Sequence, residues 1–352
     1  MTEAPSAVTA EVRAAFDRHL ACADQDAAVA LTLDLVERGV PAEAVLLDLI
    51  AAAQHTVGLR WAENKWSVAQ EHAATYVSEQ CVAALSAAVR RPGDGAPERE
   101  VVVACVDREW HALPARILAE VLRLRGFSVA FLGAHVPAPH LLTYLHENGP
   151  DLVALSCMLP ARLPHAHRLI EAAHLAGTPV MVGGPGFGAD GLWARTLGAD
   201  LWAGSAVQAA RLLADRWPPA LTGESALVHL ADEEYGLLVR DRAALLQHLV
   251  DDLRERFPPM RAYTEQSYDA TVEDLGHLLD FLAAGVFVDD ETLLADFLAY
   301  TAAILASRGV PAAGLWEALR SLRGPLHRCP RALAQLSAGE RRLVEEGIEP
   351  PP

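Results

Sequence analysis

The sequence contains no run of eighteen consecutive apolar residues, and its first residues, "MTEAPSAVTAEV", lack the basic region and apolar run of a secretory signal. A soluble, cytoplasmic protein with no membrane partner is therefore expected. Cysteine is sparse: Cys22, Cys81, Cys105, Cys157 and Cys329 form no C-x-x-C pair, which argues against a disulfide framework or a thiolate zinc site. Positive charge is also short, with 29 Lys and Arg against 46 Asp and Glu and a formal net charge of −17. A chain of that sign repels phosphate backbones, and no basic stripe or helix-turn-helix pattern offsets it, so direct DNA binding is not expected. Nor do the histidines and acids form a nucleophile–base constellation, so the chain is not expected to be an enzyme.

What is present is enough apolar material, 52% of 352 residues, for two or three domains with cores of their own. Residues 1–92 hold four helix-length stretches with apolar positions at i, i+3, i+4 and i+7, which predicts a four-helix bundle. Between the third and fourth stretches lies "WAENKWSVAQEH", residues 61–72. Ser67 and Gln70 are spaced as a capping box that starts the fourth helix, so Trp61 closes one helix while Glu71 and His72 open the next. Read alone, such a tryptophan plugs a bundle end and such a Glu-His pair is solvated.

After the linker "RRPGDGAPERE" the pattern changes. Residues 98–216 alternate the runs "VVVACV", "SVAFLG", "DLVALSCM", "PVMVGG" and "DLWAGS" with helical stretches, which predicts a doubly wound parallel α/β domain. Ligands of such sheets bind beyond the carboxyl ends of the strands, which directs attention to "DREWHALP", "SCMLPARLP" and "GGPGFG". There Glu109-x-His111 pairs an imidazole able to ligate a metal with a carboxylate able to orient it. Ser156 follows the third strand, and Gly183-Gly184 follows the fourth, where paired glycines let backbone approach a bulky ligand. Residues 226–352 have helical periodicity throughout, which predicts a separate all-α domain.

Glu109, His111, Ser156, Gly183 and Gly184 together resemble the cobalamin-binding fold of methionine synthase, the adenosylcobalamin mutases and the light-responsive cobalamin repressors. The resemblance implies that His111 is the lower axial cobalt ligand, with the serine and glycines beside the inserted nucleotide tail. The family's glycine three residues after the histidine is Pro114 here. Trp61, nine residues and then Glu71-His72 match the repressors' W-x9-EH signature, which implies that Trp61 and Glu71 embrace the 5′-deoxyadenosyl group of adenosylcobalamin. The repressors' histidine directly after the tryptophan, an upper ligand once that group is lost, is Ala62 here; His72 is the substitute candidate.

The sequence given starts at the bundle and ends in the helical domain, so transcriptional output by the repressors' route is not expected. This order of domains resembles the photocobilins, which implies a globin-like carboxyl-terminal domain holding biliverdin. His277 and Arg261 are the candidates for its ring nitrogens and propionates, whereas Cys329 shows no reason for covalent attachment. The expected function is a cobalamin photoreceptor whose light state changes a homo-oligomer or the contact with an effector protein. Two alternatives stay open: a corrinoid methyl carrier, and a helical domain that binds haem or serves only for protein contacts.

Overall fold

The computed structural model describes residues 8–89 and 99–350. The start of the chain and most of the "RRPGDGAPERE" linker lie outside the described residues. The chain forms two compact units: Met1–Met158 with Arg168–Ala194 and Ala199–Gly223, and Leu159–His167 with Arg195–Gly198 and Glu224–Pro352.

The first unit opens with four helices, α1 (Ala10–Ala21), α2 (Gln25–Glu37), α3 (Ala42–Ala62) and α4 (Val68–Ala88). Thr9 and Asp24 cap α1 and α2, and Ser67 with Gln70 forms the capping box of α4 that the spacing predicts. Within α3, Val45–Ala51 widens into a π-helix, an irregularity that apolar spacing alone does not announce. By length and composition α3 is apolar enough to cross a membrane, yet Val45, Leu46, Leu49, Ile50 and Val57 are buried in the apolar core of this unit.

Next come β1 (Glu100–Cys105), α5 (Ala112–Leu124), β2 (Ser128–Gly133), α6 (Ala138–Asn148) and β3 (Leu152–Ser156). They are followed by α7 (Leu163–Leu175), β4 (Val180–Gly183), α8 (Leu192–Thr196), β5 (Leu201–Ala203) and α9 (Ala206–Asp215). All strands are parallel, in the order β2-β1-β3-β4-β5. The order reverses direction on either side of β1, so the loops that leave β1 and β3 flank the switch point where such sheets bind ligands.

Helix α5 joins the two halves of this unit. It packs on β1 and β2, and also against α4 and the π-helical part of α3. Within this contact the buried Glu120 carboxylate accepts hydrogen bonds from Ser86 Oγ of α4 (2.8 Å), Arg116 Nε (3.1 Å) and Arg123 Nη1 (2.5 Å). Arg125 at the end of α5 meets Glu43 of α3 through two bonds of 2.8 Å.

The second unit is helical: α10 (Glu234–Arg240), α11 (Arg242–Arg256), α12 (Glu265–Val288), α13 (Thr292–Ser307), α14 (Ala313–Arg323) and α15 (Pro330–Glu345). Leu275, Leu278, Leu279 and Leu282 of α12 are buried and Val272 is partly so, one apolar face at helical spacing. Helix α12 begins seven residues before Val272, where Thr264 caps it by accepting from Ser267 N–H. Gly309, in the left-handed region at φ 69°, follows α13 and ends it.

Replacing Glu120 by Ala leaves the nearly buried Arg123 without its carboxylate, and we expect a loss of about 3 kcal/mol in unfolding free energy by urea titration. Glu120→Gln, which keeps an acceptor for Ser86, is expected to lose less.

Candidate functional site

Strand register aligns Cys105 with Ser156 and Ser156 with Gly183, so the ends of β1, β3 and β4 form one edge. From that edge the chain leaving β1 turns inward and buries Glu109, 1% exposed. Its Oε1 accepts the His111 backbone N–H at 3.0 Å and lies 2.5 Å from His111 Nδ1, while Oε2 accepts the Met158 N–H at 2.8 Å. One carboxylate therefore fixes the imidazole and ties the loop after β1 to the loop after β3.

Burial acts to raise the Glu109 pKa, but the hydrogen bonds and charge of His111 and the Met158 N–H outweigh it and hold the carboxyl below the usual range. With Nδ1 engaged by the carboxylate, Nε2 is the imidazole nitrogen available to a metal, and the side chain is 55% exposed. His111 also stands at the N-cap of α5, whose first turn contains Pro114. A missing N–H is harmless there because the first turn has no intrahelical acceptors for it. The neighbouring Cys105 is a different case: burial first, and the Glu109 charge second, push its thiol up to about 12, so it packs as an apolar group.

Ser156 is buried at the end of β3. At Gly183 a Cβ would come within 2.9 Å of the Ala203 carbonyl oxygen. At Gly184, with φ +100°, a Cβ would come within 2.3 Å of the Cys157 oxygen. The glycine pair is thus required by packing against neighbouring backbone, a reason the sequence reading, framed on ligand approach, did not contain.

In the bundle, Gln54 of α3 reaches across to α4. Its Nε2 donates to Ser78 Oγ (2.7 Å) and the Ala74 carbonyl (3.2 Å), and its Oε1 lies 3.1 Å from Thr75 Oγ1. Trp61 lies seven residues beyond Gln54 on the same stripe of α3, and Glu71 lies four before Thr75 and seven before Ser78 on the facing stripe of α4. Both fall on the turn side of the Gln54 contacts. Between Gln54 and Trp61 on that stripe is Gly58, where a Cβ would meet nothing within 4 Å. Glu71 accepts from Thr75 Oγ1 (2.9 Å) and pairs with the exposed His72 Nδ1 (2.6 Å). The end of α3 is anchored by Arg60, which makes bonds of 2.9 and 2.5 Å to Asp17 of α1 and lies over the Trp66 ring.

The helical unit contains an apolar pocket of about 70 Å³, lined by residues that include Phe257, Leu275, Leu278, Phe297 and Leu315, with Thr271, Asp274 and Thr301 as polar members. Burial raises the Asp274 carboxyl. Met260 and Tyr263 also line an adjoining open recess that contains Arg254 and Arg261. His277 is exposed on α12 and is not a lining residue, whereas Asp274, about one turn earlier and also exposed, borders the pocket. Cys329 is buried.

Residues 99–214 match the B12 binding domain family, and residues 12–86 match a second family of the same description. The chain carries B12-binding domains. Their cofactor is a cobalamin or a related corrinoid. The chain is 30% identical over 110 residues to trimethylamine corrinoid protein 1 of Methanosarcina acetivorans, covering 30% of this chain and 50% of that protein. It is 31% identical over 157 residues to the HTH-type transcriptional repressor CarH of Myxococcus xanthus, covering 43% and 50%. The chain thus spans about half the length of these curated relatives. Among solved structures, the monomethylamine corrinoid protein of Methanosarcina barkeri shares the fold, with a TM-score of 0.52 at 16% identity over 58% of this chain and 98% of that one.

The residues fit such a cofactor. Among the described residues no group of three or more His, Cys, Asp and Glu is placed to hold a metal ion. The Glu109–His111 pair instead suits a metal that brings its own equatorial ligands, as cobalt does in a corrin ring.

Glu109→Gln keeps the volume but loses the charge that orients His111, and affinity for hydroxocobalamin is expected to fall 10–100-fold, on the order seen when such orienting partners are removed, in equilibrium dialysis. Because the Glu109 pKa is depressed by folding, its stabilising contribution is present above the free-chain value near ~4.3 and is lost as pH falls through the folded value. Wild-type unfolding free energy should therefore decline on acidification below about pH 4, and Glu109→Gln should lack that part of the slope.

Proposed function

We propose that the protein is a light sensor that holds adenosylcobalamin between His111 and the α3–α4 hairpin. The observation that carries this reading is the placement of Trp61 and Glu71 on facing stripes at the turn end of that hairpin, in a chain with B12-binding domains. An adenosyl group needs a flat apolar wall and a hydrogen-bond acceptor, and Trp61 and Glu71 are those two groups. Bound adenosylcobalamin supplies a cobalt–carbon bond that visible light breaks.

The residues divide the work. Glu109 keeps the His111 proton on Nδ1, so that Nε2 would be the nitrogen offered to the metal. Trp61 and Glu71 hold the adenosyl side, with Thr75 and Gln54 bracing Glu71 from within the bundle. Without an adenosyl group to hold, Trp61 and Glu71 would be free to rearrange, and the surface at the hairpin end would change for a second copy or an effector to read. Because Ala62 stands where the repressors have a histidine, His72 beside Glu71 is the residue that would be offered to the metal from the hairpin side.

For the helical unit the proposal is a globin-like domain that binds biliverdin. Its pocket is apolar and would have to widen around a tetrapyrrole; Asp274 supplies an acceptor for pyrrole N–H groups, and Arg254 and Arg261 in the adjoining recess supply cations for propionates. A second reading, a corrinoid methyl carrier, draws on the similarity to the trimethylamine corrinoid protein. A carrier's upper face must admit a partner enzyme, which an adenosyl-holding Trp61 opposes.

Protein reconstituted with adenosylcobalamin and biliverdin is expected to show a dark cobalamin spectrum that converts under green light, plus a red band. Trp61→Ala should bind the adenosyl and methyl forms equally. Tight methylcobalamin binding by the wild type, with no preference for the adenosyl form, would favour the carrier. Haem uptake in place of a red biliverdin band would reassign the helical unit.

A further inference from the structure

Beside the Glu109–His111 pair is an aromatic group that the reading above leaves without a task. Trp110, between the two, is 70% exposed. A large apolar ring in water is ordinarily mobile, but this one is held. Its carbonyl accepts the Ala112 N–H (2.8 Å) in a tight turn, and its ring stacks on His135 with centroids 4.9 Å apart and planes inclined by 26°.

His135 comes from the loop after β2, which the strand order makes the neighbour of the loop after β1. It is itself fastened at two points. Its backbone N–H donates to the Glu109 carbonyl (3.0 Å), and its Nδ1 accepts from the Arg108 N–H (2.9 Å), with an Asp107 oxygen 3.0 Å from the same nitrogen. Arg108 and His135 both adopt left-handed backbone, at φ 64° and 52°. Non-glycine residues in that region cost energy and persist where surrounding contacts over-determine them, most often at ligand sites. Two of them meet here, and their combined effect is to hold one face of an indole against His135 and leave the other in solvent beside the metal-binding imidazole.

We propose that Trp110, backed by His135, is a corrinoid-contacting residue. This rests on the assignment of His111 as cobalt ligand and adds a second apolar anchor to that site. A corrin ring is wide and largely apolar, so a macrocycle held by one imidazole overlaps the position of the adjacent side chain. A pre-stacked indole gives it contact area without the entropy cost of ordering a free ring. His135 is a positioning residue in this arrangement: it fixes the indole and touches no ligand.

The test is equilibrium dialysis of the full chain against hydroxocobalamin, with thermal melts to verify folding. Trp110→Ala should weaken Kd by about tenfold, the upper range for one aromatic contact, while Trp110→Phe stays within about twofold of wild type. His135→Ala should produce part of the loss, and the double variant should bind no more weakly than Trp110→Ala alone, as expected if His135 acts only through the indole. The absorption spectrum of cofactor bound to Trp110→Ala should remain that of wild type, because His111 still ligates. Wild-type affinity in Trp110→Ala would overturn the proposal and give the exposed indole to a protein contact. Failure of the wild type itself to bind would overturn the cobalt-ligand assignment beneath it, and His111→Ala separates the two cases by losing both affinity and the ligated spectrum.

Discussion

The buried Glu109 carboxylate is the constraint on which the site depends. It is nearly sealed from water, yet stays ionised because its oxygens meet the His111 ring, the His111 backbone and the Met158 backbone. A carboxylate in that position does two things at once. It selects the imidazole tautomer, leaving Nε2 for a metal, and it joins the loops on either side of the switch point of the sheet. Removing it disturbs ligand orientation and loop geometry together, whereas removing His111 disturbs only the first.

Around that centre the first unit ties the sheet to the helical bundle through one helix. Helix α5 begins at His111 and runs back between the sheet and the bundle, where Glu120 binds Ser86 and Arg125 binds Glu43. The Glu109–His111 loop and the ends of α3 and α4 remote from their connecting turn are therefore fixed to the same helix. The π-helical turns of α3 lie in this contact, while the Trp61 end is secured separately by Arg60 and Asp17.

Much of this was legible in the sequence, for reasons that can be named. Each strand run was both apolar and short, so β2 fell on "SVAFLG" residue for residue, and the Ser67–Gln70 capping box marked the start of α4 directly. The Glu109-x-His111 pair was legible because its chemistry is local. His135 was not: apolar runs do not encode strand order, and without knowing that β2 borders β1 nothing connects residue 135 to residue 110. The backbone contacts that the glycine pair relieves, with Cys157 and Ala203, were not legible either, since they are distant in sequence. That Asp274 and not His277 borders the pocket was not legible, because periodicity separates apolar from polar faces but does not show which polar residue borders a cavity.

The central claim is that His111 Nε2, oriented by Glu109, ligates cobalt. The most direct measurement is electron paramagnetic resonance of the protein-bound cob(II)alamin state, prepared from protein labelled with 15N-histidine. A protein imidazole on cobalt gives doublet superhyperfine splitting from its single 15N, and the account predicts doublets that vanish in His111→Ala. Triplets from unlabelled nitrogen would mean that the cofactor keeps its own base on cobalt, and would contradict the role assigned to His111.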